Sequence, residues 1–213
     1  MKQFDAIIFD MDGVIVDSEP LHERAFREVF AEMGYGDTHG MNFADYYGRS
    51  DKALWLDFIA KHHPPQPFEE LLAWKQRRLV ELVVAEKPIF EGLPELVEQL
   101  APRYKLGVAS GSPHAVIDEV LRLENLRRFF PVVVSVTDVG KGKPAPDVFL
   151  RTAELLGVAP RDCCVIEDAA VGIEAALAAG MDVIAITNTL PAGKLSRASR
   201  VVKHYAEIEA LLL

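Results

Sequence analysis

Acidic, hydroxyl and cationic residues recur in this sequence directly after short apolar runs. The run FDAIIF (4–9) leads into Asp10-Met11-Asp12-Gly13, and KLGVAS (105–110) ends on Ser110 before Gly111-Ser112. PVVVSV (131–136) is followed by Lys141-Gly142-Lys143-Pro144, and CCVI (163–166) by Glu167-Asp168. Carboxylates are hard oxygen ligands suited to Mg²⁺. A lysine and a serine can hold the oxygens of a phosphate whose charge a metal offsets. These residue types suit one task, which is to hold a divalent metal and transfer a phosphoryl group.

The elements that must position them follow from the same runs. Each is short, rich in Val and Ile, and apolar at nearly consecutive positions, as strands buried on both faces are. A fifth run, MDVIAI (181–186), completes the set. Helical stretches alternate with them at Pro113–Leu123, Ala145–Leu156, Ala169–Ala179 and Ala206–Leu213. The pattern predicts an α/β fold, a Rossmann-like parallel sheet with helices on both faces. Ligands bind at the carboxyl ends of the strands in such sheets, which gathers the polar residues on one rim.

One interval breaks the alternation. Ser18 is expected to cap a helix whose apolar positions are Leu21, Ala25, Val29, Phe30 and Met33, ending at Gly34. A second helix opens near Asp51 and stops before Pro64-Pro65, and a third runs from Phe68 to Ala85. A crossover between parallel strands needs far less chain than this. Residues 17–87 are therefore expected to form an all-helical cap inserted after the first strand, with 1–16 and 88–213 as the Rossmann-like core.

Composition narrows the classes. The 213 residues are 50% hydrophobic, enough for a packed core, and 23 Lys and Arg against 32 Asp and Glu give a net charge of −9. Such an acidic chain has no general affinity for nucleic acid or for an anionic membrane. The two cysteines, adjacent at 163 and 164, build no disulfide framework and fit a reducing compartment. The chain starts without a signal-peptide pattern and has no membrane-spanning run. A cytoplasmic monomer acting on a small molecule is the expectation.

In order and register, DMDGVIVDS (10–18), VASGS (108–112), GKPAPDVF (142–149) and VIEDAAVGIEAALAAGM (165–181) resemble the haloacid dehalogenase-like hydrolase superfamily. The resemblance is to its β-phosphoglucomutase-like phosphatases and phosphomutases with a helical cap. It covers the whole core, while the cap fits in position and length. It implies a Mg²⁺-dependent phosphatase that hydrolyses a small phosphorylated metabolite, a sugar or polyol phosphate, through an aspartyl-phosphate. Asp10 would be the nucleophile, splitting one difficult hydrolysis into two easier steps. Asp12 would be the general acid for the leaving alcohol and then the base for water. Dehalogenases lack an acid at the Asp12 position and phosphonoacetaldehyde hydrolase has alanine there, so Asp12 favours phosphate esters. Ser110 and Gly111 are the implied phosphate ligands, with Lys143, rather than Lys141, neutralising Asp10 and the phosphate. Asp10, Asp12, Glu167 and Asp168 are the implied metal ligands.

In the cap, Glu19, His22, Arg49 and Lys52 are the candidates for substrate contact, and the cap is expected to close over the site and exclude water. β-Phosphoglucomutase resembles this chain with a lysine at the Tyr47 position and an arginine at the Asp51 position, cations that hold the second phosphate of its bisphosphate intermediate. Their absence weighs toward hydrolysis. A phosphomutase of that type is the alternative, and it would draw a second anion site from Arg49, Lys52 or His114. A phospho-accepting signalling receiver is a remote alternative, because such domains place the accepting aspartate after a middle strand and lack a large insertion after the first.

Overall fold

In the computed structural model, which describes residues 3–46 and 51–213, the five Val- and Ile-rich runs form strands and a sixth strand joins them. They are β1 (Ala6–Phe9), β2 (Lys105–Ser110), β3 (Val132–Ser135), β4 (Cys163–Glu167), β5 (Asp182–Ile186) and β6 (Arg200–Val202). All pair in parallel, in the order β3-β2-β1-β4-β5-β6. The described helices are α1 (Glu19–Glu32), α2 (Asp51–His62), α3 (Phe68–Glu86), α4 (Leu93–Leu100), α5 (His114–Arg122), α6 (Asp147–Leu156), α7 (Ala170–Ala178) and α8 (Tyr205–Leu212). The parallel α/β fold is the one its sequence pattern predicts. β6 and α4 go beyond that prediction: β6 has three residues and begins on an exposed arginine, too short and too polar to stand out as an apolar run.

Two compact units emerge, one made of the chain up to Asp17 with Pro88–Leu213, the other of Ser18–Lys87. In the first, strand alternation sends Ala6 and Ile8 toward Phe149 of α6 and Ile173 of α7 in one apolar cluster. Ile7 and Phe9 point to the opposite face, where the Phe9 ring meets Phe130 edge-on at 5.5 Å. All four residues are fully buried, and each aliphatic or aromatic side chain so placed contributes roughly 1.5–3 kcal/mol.

Connectivity places the candidate residues. From β1 the chain proceeds to β2 and β3 on one side, then returns to β4 and β5 on the other, so the order reverses beside β1. Phe9 pairs in register with both Val108 and Ile166. The Asp10 N–H extends the ladder by donating to the Ile166 carbonyl at 3.0 Å. Asp10, Ser110 and Glu167 therefore leave the sheet on the same rim.

The second unit is helical. Buried Phe26, Phe30, Trp55, Phe58 and Leu71 pack from α1, α2 and α3 into one cluster, with Phe30 and Phe58 stacked at 4.3 Å. Ser18 takes the N-cap position of α1, but its side chain makes no capping hydrogen bond; a proline in the first turn supports that start instead. Among the described residues no helix is long and apolar enough to cross a membrane.

Candidate active site

Asp10, Lys143, Glu167 and Asp168 converge at the switch point. The Lys143 ammonium lies 2.8 Å from Asp10 Oδ1 and 2.8 Å from Glu167 Oε2. Glu167 is fully buried, and its other oxygen accepts the backbone N–H groups of Asp168 and Ala169, each at 3.1 Å. Glu167 is thus locked from both sides. Asp10 is not: the lysine sits close to its Oδ1 but off the hydrogen-bonding direction, which leaves a buried oxygen with no donor aligned on it.

The electrostatics follow from three carboxylates sharing one lysine. Burial, then the Glu167 charge, pushes the Asp10 carboxyl well above the ordinary carboxylate range, against the pull of Lys143. Asp168 is raised for the same reasons, burial first and then Glu167 and Asp10. Burial alone would lower Lys143, but its two carboxylate partners hold the ammonium above its usual value. One ligand oxygen from each of Asp10, Glu167 and Asp168 lies within 4.8 Å of the others. An all-oxygen donor set with a surplus of negative charge and an unaligned buried oxygen fits Mg²⁺.

Asp12, also a candidate ligand, is directed elsewhere. The chain turns just past β1, where the Met11 carbonyl accepts the N–H of Ile15 at 2.7 Å. Asp12 Oδ2 receives the Ser112 hydroxyl at 2.9 Å, with Ser110 Oγ 3.5 Å away. Asp12 therefore stands beside the end of β2, outside the acidic trio. Ser110 is fully buried and accepts the Ser112 N–H at 3.0 Å. Gly111 is exposed at the rim, and so is Lys141. Ser135 at the end of β3 donates to the Ser112 carbonyl at 2.7 Å, so Ser112 is held at both ends.

Two glycines make room for the carboxylates. Gly13 adopts φ +76°, and a Cβ there would run into the Asp168 carboxylate and Thr189 Oγ1. A Cβ on Gly172, in α7, would run into the Glu167 carboxylate. Sequence reasoning missed Asn188, Thr189 and Tyr205, all of which touch this region. Asn188 Nδ2 donates to the Gly13 carbonyl at 2.8 Å, and Thr189 Oγ1 stands beside the Asp168 carboxylate, both against the space a Gly13 Cβ would fill. These contacts join residues too far apart in sequence for any local spacing to announce them.

In the helical unit, Glu19 lies in the first turn of α1, Lys52 is exposed on α2, and Arg49 and Tyr47 lie outside the described residues. His22 belongs to a cluster the sequence did not reveal. Lys75, fully buried on α3, places its ammonium 2.7 Å from Asp51 Oδ2 and 2.7 Å from His22 Nδ1. The same ammonium lies 4.8 Å from the centre of the Phe26 ring. Burial would raise the Asp51 carboxyl, but Lys75 and then His22 hold it well below the usual range.

Residues 4–180 match the family model of the haloacid dehalogenase-like hydrolases. Fructose-1-phosphate phosphatase YqaB of Escherichia coli (strain K12) is 33% identical over 183 residues, 86% of this chain and 96% of that protein. Hexitol phosphatase B of the same organism is 33% identical over 187 residues, 87% of this chain and 84% of that protein. Among solved structures, β-phosphoglucomutase from Clostridium difficile superposes with a TM-score of 0.79 at 25% identity, covering 97% of this chain and 93% of that one.

Proposed function

The chain belongs to the haloacid dehalogenase-like hydrolase family, and we propose that it is a Mg²⁺-dependent phosphatase hydrolysing a sugar or polyol phosphate through an aspartyl-phosphate on Asp10. A carboxylate oxygen of Asp10 attacks phosphorus. The bond from phosphorus to the substrate oxygen breaks, and Asp12 gives that oxygen its proton. Asp12 then takes a proton from water as the water oxygen attacks the same phosphorus, releasing phosphate and restoring the Asp10 carboxylate. Lys143 serves the first step by drawing Asp10 toward its ionised form, against burial and its acidic neighbours, and Ser112 serves both by orienting the Asp12 carboxylate. Asp10, Glu167 and Asp168 would hold the metal, which supplies positive charge against the phosphoryl oxygens and the clustered carboxylates.

The observation that carries the reading is Asp10 itself: a buried carboxylate with an unaligned oxygen beside an ammonium, with Asp12 two residues on and kept out of the acidic trio. The two phosphatase relatives are named for fructose 1-phosphate and hexitol phosphates, which supports a phosphorylated sugar or polyol. The mutase reading is disfavoured by Asp51, a carboxylate at the position where the resemblance to β-phosphoglucomutase implies an arginine, and one that pairs with Lys75.

The test is phosphate release from a panel of sugar and polyol phosphates with Mg²⁺, using Asp10→Asn protein as the blank. Release from a few esters, abolished in the variant and by chelation, is the expected result. Conversion of β-glucose 1-phosphate to glucose 6-phosphate with little free phosphate would replace the phosphatase with a mutase.

A further inference from the structure

Just past Asp12 the chain makes a tight turn whose inner N–H groups are satisfied locally. Gly13 N–H donates to the Val16 carbonyl at 2.9 Å, and the N–H groups of Val14, Ile15 and Val16 all reach the Met11 carbonyl. The carbonyls of Gly13 and Val14 point away from this turn, and both residues are buried. Buried carbonyls need donors, and here both donors come from the far end of the chain. Asn188, in the bend after β5, gives one amide proton to the Gly13 carbonyl at 2.8 Å and the other to the Tyr205 hydroxyl at 3.0 Å. Tyr205, the first residue of α8, donates its own hydroxyl to the Val14 carbonyl at 2.6 Å.

Both donors are themselves held. Glu207 fixes the start of α8 by accepting the N–H groups of Lys203 and His204, at 2.9 and 3.0 Å. The Tyr205 ring packs at 6.2 Å from Phe90, whose N–H donates to the Ile15 carbonyl at 3.3 Å. Burial pushes the phenol above its ordinary range, so the hydroxyl keeps its proton. The residue after Asn188 touches the other half of the site, because Thr189 Oγ1 and the Asp168 carboxylate stand side by side where a Gly13 side chain would be.

We infer that Asn188, Thr189 and Tyr205 form a bracket that fixes the turn after Asp10 and Asp12 against the Asp168 end of β4, which makes all three positioning residues. Their catalytic consequence rests on the phosphatase reading above. The bracket sets where the nucleophile and the acid stand relative to the acidic trio without touching substrate. Displacing a reacting group by an ångström can cost about 100-fold in rate, so losing one strut of a multiply held turn is expected to cost about tenfold.

Two readouts test it. Tyr205→Phe removes only the phenol hydroxyl, and Thr189→Val only the hydroxyl beside the Asp168 carboxylate, with Thr189→Ser restoring it. The expected result is a kcat lowered about tenfold in Tyr205→Phe and Thr189→Val, KM within twofold of wild type, and recovery in Thr189→Ser. Amide hydrogen exchange, which needs no activity, should show protection lost at residues 13–16 in Tyr205→Phe while the central strands stay protected. Unchanged exchange at 13–16 overturns the bracket, and so does a wild-type kcat in a Tyr205→Phe protein with a lowered melting temperature. A wild-type protein that cleaves no phosphate ester overturns the phosphatase reading alone, leaving the exchange result to decide the bracket.

Discussion

Replacing Lys143 with methionine removes one ammonium and strands two carboxylates at once. Lys143 and Asp10 side chains are 11% and 10% exposed and Glu167 is 0%, so solvent screens little of the loss. Breaking a buried pair by removing one partner costs about 3–5 kcal/mol, because an uncompensated charge stays behind. The two pairs share one cation, so their costs overlap, and about 4 kcal/mol is expected for the metal-free protein at neutral pH. That is a large fraction of the ~5–15 kcal/mol that holds a typical domain folded. The sign with pH is fixed by the carboxylates. Asp10 and Asp168 are raised even with the lysine present, so when folded they bind protons more tightly than in the unfolded chain. Their contribution is favourable in acid and is lost as pH rises through the ordinary carboxylate range toward the folded values. Without Lys143 those values rise further, and the deficit of the variant should shrink as the pH is lowered from neutral into mild acid. Urea unfolding of wild type and variant in chelator, at neutral pH and in mild acid, measures this directly. A deficit below about 1 kcal/mol, or one that does not shrink in acid, would refute the reasoning that Lys143 is the counter-charge of this trio.

Gly172→Ala would ordinarily gain about 1 kcal/mol inside a helix. Here the new methyl meets a Glu167 that Lys143 and two N–H groups hold in place, so thermal unfolding should show a loss of about 1–3 kcal/mol. Ser112→Ala takes the donor from Asp12 Oδ2; steady-state kinetics should show kcat down about tenfold with KM little changed, as part of the 10²–10⁴ a general acid–base supplies. Lys75→Met leaves the Asp51 carboxylate of the helical unit without its cation and should cost about 3 kcal/mol at neutral pH by denaturant unfolding. Since Lys75 depresses Asp51, the stability the pair contributes is present above the ordinary carboxylate range and lost as pH falls through the folded value, so the difference between Lys75→Met and wild type should narrow in strong acid.

The core rim was legible because each chemical residue follows an apolar run at a strand end, and a parallel sheet brings such ends together whatever lies between them. Asp10, Ser110 and Glu167 needed only that rule to be placed on one rim. The Asp12 carboxylate did not follow from spacing, since its direction depends on how the chain turns at Met11 and on the hydroxyl that Ser112 offers. Lys75 was hidden for a different reason: it falls on the buried stripe of α3 among leucines, and periodicity registers position without charge. Its partners, His22 and Asp51, lie on α1 and α2. β6 escaped because three residues opening on an arginine give no apolar run. Asn188 and Tyr205 escaped because their contacts close over 175 and 191 residues of chain.

The proposed mechanism turns on transfer of the phosphoryl group to the Asp10 carboxylate. Turnover of a cleaved sugar phosphate by Asp12→Ala protein, stopped with acid and followed by mass analysis of the peptides, tests it most directly. The peptide carrying Asp10 should gain the mass of one phosphoryl group, and the gain should disappear in the Asp10→Asn, Asp12→Ala double variant. A peptide that never gains that mass while phosphate is being released, or a gain that survives in the double variant, would contradict it.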